Sequence, residues 1–256
     1  MEAVSQTHAT RAHSPTSSPR PSFTPSLGDD PKGVAAQSPP PPNTSIRQTS
    51  GKGLSMNVTT SERSIEAQSR AKRLKALTST VHEGVDRSIM SASSFATIDR
   101  YKRFLAIQYL FHRDVAALYA ESRLQAAFPD LVHRCRLPLV IADMEDLGVA
   151  TPDAGSPIFI AGGPVDMGTA LGWLYVAEGS NMGAAVLRKE AHKLGLTDDV
   201  GARHLAPALE GPAPHWRAFT AALDAVELSD DEETRAREGA LEAFAQVQAH
   251  VDARLD

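Results

Sequence analysis

Cysteine is almost absent from this chain of 256 residues, and the sequence also lacks the motifs of several classes of protein. The single cysteine, Cys135, excludes an internal disulfide and any cysteine-rich metal cluster. No apolar run approaches the length of about 18 residues that a membrane span needs. The N-terminal segment also lacks the apolar stretch of a secretory signal. We therefore expect a soluble, cytoplasmic protein that does not bind membranes.

Proline, serine and threonine are concentrated at the start of the chain. Residues 1–50 hold 9 of the 17 prolines, together with 9 serines and 6 threonines. Such a segment cannot bury enough apolar surface to offset the entropy of ordering its backbone, so we predict that residues 1–58 are disordered. Met56 stands just before the globular composition begins, so an over-extended gene start remains an alternative. Residues 59–256 are predicted to form one domain.

The predicted domain is acidic. Residues 59–256 contain 21 Lys and Arg against 28 Asp and Glu, a net charge of −7. An acidic surface repels a phosphate backbone, so we do not expect nucleic acid as a partner. The sequence also lacks a phosphate-cradling loop, an HExxH pair and a serine nucleophile elbow. These absences exclude many common enzyme classes.

Helical periodicity dominates the domain, and strand-like alternation is nowhere convincing. One apolar stripe on the first predicted helix consists of Leu74, Leu77, Val81, Val85 and Ile89. The sequence predicts helices at about 66–90, 98–121, 130–147, 166–194, 213–226 and 229–253, with a loop at 149–164. The predicted fold class is therefore all-α, a single-domain bundle of six or more helices.

Several helix ends carry recognisable signals. Asp166 is a candidate N-cap, because its carboxylate can accept a hydrogen bond from the first turn. Ser229 and Glu232 form the pattern of a capping box. Gly148 and Gly195 follow their helices at the position where a left-handed residue commonly ends a helix.

His82 is the first candidate for chemistry. It lies beside the apolar stripe and shares a face with Val85 and Ile89, where a neutral imidazole nitrogen could bind iron. Asp86, one turn later, could accept the other ring N–H and fix the tautomer. The alternative is a boundary histidine paired with its helical neighbour, and the spacing alone leaves this open.

Gln108 and His112 are two polar residues on the apolar face of the second helix. A buried polar group without a partner costs about 1–3 kcal/mol, so both side chains need partners. They could bond to each other and to a water in a polar cavity. A purely local pair is the alternative.

The fourth helix contains Gly179 and Gly183 with Ser180 and Asn181 between them. Each interior glycine costs about 0.8–1 kcal/mol of helix propensity relative to alanine. Two of them indicate a kink or a close approach of another group to the backbone. That group could be a neighbouring helix or a flat ligand.

Three segments resemble bacterial biliverdin-producing heme oxygenases, most closely the iron-acquisition type. Residues 74–82 (LKALTSTVH) resemble the proximal helix, and residues 104–112 (FLAIQYLFH) resemble the helix that follows it. The strongest match is GWLYVAEGSNMGAA at 172–185, which resembles the distal helix. The motifs GARHLAP at 201–207 and HWRAF at 215–219 follow in the expected order.

The resemblance implies a fold in which heme b is sandwiched between a proximal helix and a kinked distal helix. It makes His82 the axial iron ligand, with Asp86 beside it. It implies catalytic roles on the distal side for Gly179, Ser180, Asn181, Gly183, Gln108, His112 and Arg136. It also implies that Lys75 and Tyr175 bind the heme propionates, and Lys189 is a further candidate for that role.

The activity that the resemblance implies is oxidative cleavage of heme by O2 to biliverdin, carbon monoxide and ferrous iron. Heme is then both cofactor and substrate. The chain has no flavin or nicotinamide motif, so electrons must come from a ferredoxin or an NAD(P)H-dependent reductase. No second interface is evident, and we expect a monomer that serves iron acquisition or bilin supply.

Two other functions remain to be weighed. A heme-binding carrier or sensor could share the fold without turnover, but it would have no need of Gln108 and His112 in a water network. A thiamin-degrading enzyme of the same fold superfamily would need a catalytic cysteine with carboxylates beside it. Cys135 lacks such neighbours in the sequence, so the oxygenase is favoured.

Overall fold

The computed structural model describes residues 68–255, which form seven α-helices, two short 3₁₀ turns and no strand in that range. The helices are α1 (Arg70–Ser91), α2 (Ile98–Tyr119), α3 (Ser122–Ala127), α4 (Leu137–Asp146), α5 (Met167–Lys193), α6 (Pro212–Ala225) and α7 (Asp230–Leu255). The predicted all-α class is confirmed. The prediction of a disordered segment at 1–58 falls outside the described residues.

The predicted caps end the helices as expected. The Asp166 carboxylate accepts a hydrogen bond from the amide of Thr169 at 2.9 Å. Ser229 and Glu232 form the capping box, since the Glu232 carboxylate accepts from the Ser229 amide at 2.9 Å. Gly148 and Gly195 adopt positive φ angles of 61° and 83°, a conformation that glycine adopts without steric cost.

The predicted helices differ from the structure at two boundaries and miss one short helix. The helix predicted over 130–147 is split into a 3₁₀ turn at Leu131–Arg134 and α4, because Cys135 is extended between them. The first helix begins at Arg70 rather than 66, where Ser69 caps it. The short helix α3 was not predicted, because six residues are too few to show a periodic pattern.

Helix α7 packs against both α1 and α5. In each pair of helices, residues with higher numbers on one helix contact residues with higher numbers on the other. The contacts from α1 are Arg70–Glu233, His82–Phe244 and Ser88–Gln248. The close approaches from α5 are Gly168–Glu232, Gly172–Ala236 and Gly172–Ala240. Pairs that ascend together belong to helices that run in the same direction, so α1, α5 and α7 are parallel in sense.

Burial changes abruptly along α5. Gly168 and every residue from Ala170 to Glu178 are buried, whereas most of the positions from Gly179 to Lys193 are partly or fully exposed. The first half of α5 is therefore a core helix, and the second half presents uncovered surface. No helix within residues 68–255 is both long enough and apolar enough to cross a lipid bilayer.

Candidate active site

Helices α1 and α5 meet at Thr78 and Tyr175. Burial raises the pKa of the Tyr175 phenol, and the nearby Thr78 hydroxyl, which donates to the Leu74 carbonyl at 2.8 Å, offsets part of this rise. Thr78 lies between two contacts of α1 with α7, at about the level of Ala240, and Tyr175 follows Gly172, which contacts Ala240, by less than one turn. His82 and Gly179 each follow one helical turn later in the same direction. Both therefore lie near the level of Phe244.

His82 is accessible on α1. Its side chain is 55% exposed, and its ring lies edge-on to Phe244 with the centroids 5.6 Å apart. Nδ1 of His82 lies 3.6 Å from Oδ2 of Asp86, which is longer than a hydrogen bond. Because Asp86 is itself exposed, a rotamer change is enough to close this gap. The imidazole therefore remains open to a ligand.

Apolar side chains flank these positions without being covered. Leu77 and Val81 on α1 and Met182 and Val186 on α5 are all exposed, with Val186 reaching 60%. The apolar stripe predicted on α1 is therefore buried at Leu74, Val85 and Ile89 but exposed at Leu77 and Val81. Periodicity identified them as apolar, but no part of residues 68–255 covers them. Exposed apolar groups on both helices form a surface suited to an apolar ligand.

Gly183 leaves the backbone of α5 uncovered by any described residue, whereas Gly179 lies against the ring of Trp216. A Cβ atom placed on Gly183 would meet nothing within 4 Å, and one on Gly179 would meet only the Trp216 ring at 3.6 Å. Helix packing therefore does not explain Gly183, the first explanation that the sequence left open. The α-helix runs without a break through both glycines. A flat group can lie directly on this stretch of backbone.

A cluster of polar residues is buried next to α2. Burial, together with the nearby His204 and Arg136, lowers the pKa of His112 to about 3, so its ring is neutral. Arg136 donates to the carbonyl oxygens of His204 and Ala206 at 3.3 and 2.8 Å. His204 is paired with Asp143, a carboxylate with no exposed surface. The sequence pointed to His112 and Arg136 but not to Asp143.

Glu178, directly before Gly179, is the centre of a second buried group that sequence reasoning missed. Its carboxylate accepts a hydrogen bond from the Tyr119 hydroxyl at 2.9 Å and one from Arg134 at 2.8 Å. Nε2 of His215 lies 3.7 Å from the same carboxylate. These contacts attach the distal segment of α5 to α2, to the 3₁₀ turn and to α6, and so fix the position of Gly179.

The remaining predicted residues lie at varied positions. Gln108 is half-buried on α2, one turn before His112, while Lys75 and Lys189 are exposed on α1 and on the outer part of α5. Ser180 donates its hydroxyl to the Ala177 carbonyl at 2.7 Å. The amide nitrogen of Asn181 is buried and has no hydrogen-bond partner among the described residues.

These features fit a flat, largely apolar macrocycle that carries a metal. An open imidazole on α1 supplies a nitrogen donor at the level where α5 presents glycine backbone. Uncovered apolar side chains on both helices match a hydrophobic ring system, and the buried histidine and arginine groups supply polar contacts beyond it. A heme group matches all of these requirements.

Comparison with known proteins agrees with this geometry. Residues 164–252 match the profile of the heme oxygenase family. The chain is 41% identical over 175 residues to heme oxygenase PigA of Pseudomonas aeruginosa, an alignment that covers 68% of this chain and 87% of that protein. The chain belongs to the heme oxygenase family.

Two solved heme oxygenases have similar structures. The enzyme from Neisseria meningitidis, solved with NO and CO bound, is 40% identical and superposes with a TM-score of 0.69. That match covers 74% of this chain and 93% of the Neisseria chain. The heme oxygenase of Leptospira interrogans, at 16% identity and a TM-score of 0.58, covers 73% of this chain and 100% of its own and shows the shared fold alone.

Membership of the heme oxygenase family confirms the resemblance read from the proximal and distal segments. In this heme oxygenase the structure brings Thr78, Tyr175 and Trp216 close to the glycine segment. Lys75 and Lys189 are exposed, and no hydrogen bond or ion pair ties either of them to this segment in the described part of the chain. The predicted roles of individual site residues remain predictions.

Proposed function

We propose that this heme oxygenase opens heme with O2 and external electrons to biliverdin, carbon monoxide and ferrous iron in the cleft between α1 and α5. One observation carries the proposal. The open imidazole of His82 lies on α1 at a level near that of the glycine segment at residues 179–183 of α5, where Gly183 is uncovered, and the two helices run in the same direction. Heme needs a ligand to its iron on one face and a surface to lie against on the other, so the two groups must stand at the same level.

His82 would bind the heme iron through its Nε2 atom. The Asp86 carboxylate would then accept the Nδ1 proton, holding the ring in one tautomer and orientation. The edge of Phe244 limits rotation of the imidazole from the other side. When bound, heme supplies the iron at which oxygen is activated and also the carbon skeleton that is cleaved.

The distal residues would position the substrate and handle protons. Gly179 and Gly183 allow the α5 backbone to approach the macrocycle, because neither has a side chain to hold it away. The side chains of Gln108 and His112 lie on the same face of α2 one turn apart, and with Arg136 they would order water near the cleft. Neutral His112 can accept a hydrogen bond from water on one ring nitrogen and donate one from the other, so it would orient water without adding a charge.

Residues at the rim would bind the two carboxylates of heme. Lys75 offers an exposed cation on α1, and Tyr175 offers a phenol that would donate a hydrogen bond to a propionate. Lys189 is a further candidate on the exposed half of α5. The residues that bind each propionate would determine how the macrocycle is rotated in its site, and therefore which meso carbon is attacked. A ferredoxin or an NAD(P)H-dependent reductase would deliver electrons to a monomeric, cytoplasmic enzyme.

The decisive experiment is absorption spectroscopy of the purified protein loaded with hemin and then given ascorbate in air. We expect a Soret band at one-to-one stoichiometry that gives way to the red absorption of a bilin. His82→Ala should weaken the hemin complex and stop turnover. His133→Ala is the matched control, since His133 is an exposed histidine on the 3₁₀ turn.

The outcomes separate the functions. A stable hemin complex that never yields bilin would favour a carrier or sensor over the oxygenase. Unchanged hemin binding in His82→Ala would overturn the assignment of the axial ligand.

A further inference from the structure

The outer segment of α5, residues 179–193, has little apolar contact with the rest of the protein. Only Ala184 and Ala191 are buried in it, and Leu187 is partly buried against the core. An alanine contributes a single methyl group to packing, so apolar burial alone holds this segment weakly. The segment nevertheless carries Gly183, where we place one face of the macrocycle. Its position must therefore depend on some other contact.

Arg188 and Asp198 form a bidentate ion pair between the outer segment and the turn that follows α5. Nε of Arg188 donates to Oδ1 of Asp198 at 2.6 Å, and Nη2 donates to Oδ2. Two parallel bonds fix the direction of the guanidinium as well as its distance. The Arg188 guanidinium lowers the pKa of the Asp198 carboxyl, so the pair is charged at neutral pH. Nε2 of His192 lies 3.5 Å from the same carboxylate. Within residues 68–255, no other ion pair joins the outer segment to another part of the chain.

The turn that carries Asp198 is itself fixed to the core of the protein through Gly201. The Gly201 carbonyl accepts a hydrogen bond from the Tyr101 hydroxyl at 2.8 Å, and the Gly201 amide donates to Asp146 at 2.8 Å. Tyr101 lies on α2 with no exposed surface, and Asp146 is the last residue of α4. Asp198 is therefore a fixed point, and Arg188 attaches the outer segment to it.

We propose that Arg188 and Asp198 are positioning residues that clamp the outer segment of α5 to the core and so retain the heme in the cleft. This inference rests on the proposed function, because it concerns the surface on which Gly183 would meet the macrocycle. Arg188 follows Gly183 by five residues, about 7.5 Å along the helix. The two side chains bind each other, so they act on the heme only through the position of the helix.

The first test uses the heme-free protein and compares two neighbouring carboxylates. Asp198→Asn should speed amide hydrogen exchange in residues 180–191 about fivefold, the upper range for an exposed ion pair, and leave exchange in α2 unchanged. Asp199→Asn is the matched control, because Asp199 is exposed and has no ion pair with any described residue. Neither change alters α5 itself, so helix propensity does not enter. Equal exchange in the two variants would overturn the proposal, whatever the outcome of the hemin experiment.

The charge of the pair gives a further readout in the same protein. Salt screens an exposed ion pair, so 1 M KCl should speed exchange in residues 180–191 of the wild type. Asp198→Asn should not respond, because it has no ion pair to screen. A salt response of the same size in both proteins would contradict the clamp.

The second test measures how fast hemin leaves the protein for an excess of apomyoglobin. Transfer should be about fivefold faster from Arg188→Gln and from Asp198→Asn than from the wild type, and the double variant should be no faster than either. Lys193→Gln is the control, because Lys193 pairs only with Glu190 of the same helix, at 2.6 Å, and lysine, arginine and glutamine have similar helix propensities. Transfer at the wild-type rate from both single variants would overturn the proposal. Failure of the wild type to bind hemin would instead overturn the proposed function, and amide exchange would still decide the clamp.

Discussion

Gly172 of α5 and Ala240 of α7 are in backbone contact, since a Cβ atom on Gly172 would stand 2.6 Å from the Ala240 nitrogen. Such a Cβ would also meet the carbonyl carbon of Gly239 at 2.9 Å. Neither neighbour is a flexible side chain that could move aside. The buried half of α5 is therefore held against α7 as closely as two helices can approach.

Gly172→Ala should destabilise the heme-free protein. Overpacking of this kind costs about 1–3 kcal/mol, and here it exceeds the gain in helix propensity. Urea denaturation followed by circular dichroism measures the change in free energy of unfolding. The control is Gly84→Ala on α1, where an added Cβ would meet nothing within 4 Å and stability should rise. A neutral Gly172→Ala would show that the two helices can separate without cost.

Gly183→Ala should have opposite effects on stability and on heme binding. The added Cβ meets no described residue within 4 Å, so the free energy of unfolding should rise by up to about 1 kcal/mol through helix propensity. The same methyl group would stand where we place the macrocycle, and hemin affinity should fall. Denaturation and hemin titration measure the two effects separately. Unchanged affinity would place the heme elsewhere.

Replacement of Arg134 alone should destabilise the protein more than replacement of both Arg134 and its partner Glu178. Arg134 and Glu178 are 8% and 1% exposed and lie 2.8 Å apart, so Arg134→Met leaves a buried carboxylate without its cation. Such a loss costs about 3–5 kcal/mol. The double variant Arg134→Met with Glu178→Gln should recover part of that stability. Additive losses in a double-mutant cycle would show that the two side chains act independently.

His112 should make stability depend on pH in the acid range. Its pKa is about 3 in the folded chain, against about 6.5 for an unfolded histidine, so the unfolded state binds the extra proton. The free energy of unfolding should therefore fall as the pH is lowered from about 6.5 toward 3. His112→Gln should reduce this slope, and the rest would come from His204, whose pKa burial also lowers. Identical slopes in wild type and variant would contradict the prediction.

The sequence predicted those features that depend on neighbouring residues. Asp166 and Ser229 were identified as caps, because a cap is decided within one turn of chain. The sequence also indicated that Gly183 needs a special reason, because a glycine inside a helix lowers its stability locally. The motifs around His82 and Gly179 identified the family, because they resemble its two heme-facing helices.

Contacts between distant segments left no such signal. Asp143 and His204 are 61 residues apart, and Glu178 and Arg134 are 44 apart, so no periodic pattern connects them. Leu77 and Val81 show the opposite difficulty. Helical spacing marks them as apolar, but only the tertiary arrangement reveals that no part of the described chain covers them.

The parallel course of α1 and α5 along α7 has a consequence for insertions and deletions. Both helices take their axial position from α7, Gly172 through Ala240 and His82 through Phe244. One residue added between Ala240 and Phe244 would turn Phe244 by about 100° and advance it by about 1.5 Å relative to Ala240. The two walls of the cleft would then lose alignment although no residue in either wall had changed. Length variation among relatives should therefore be tolerated in the 149–164 loop and excluded from this single turn.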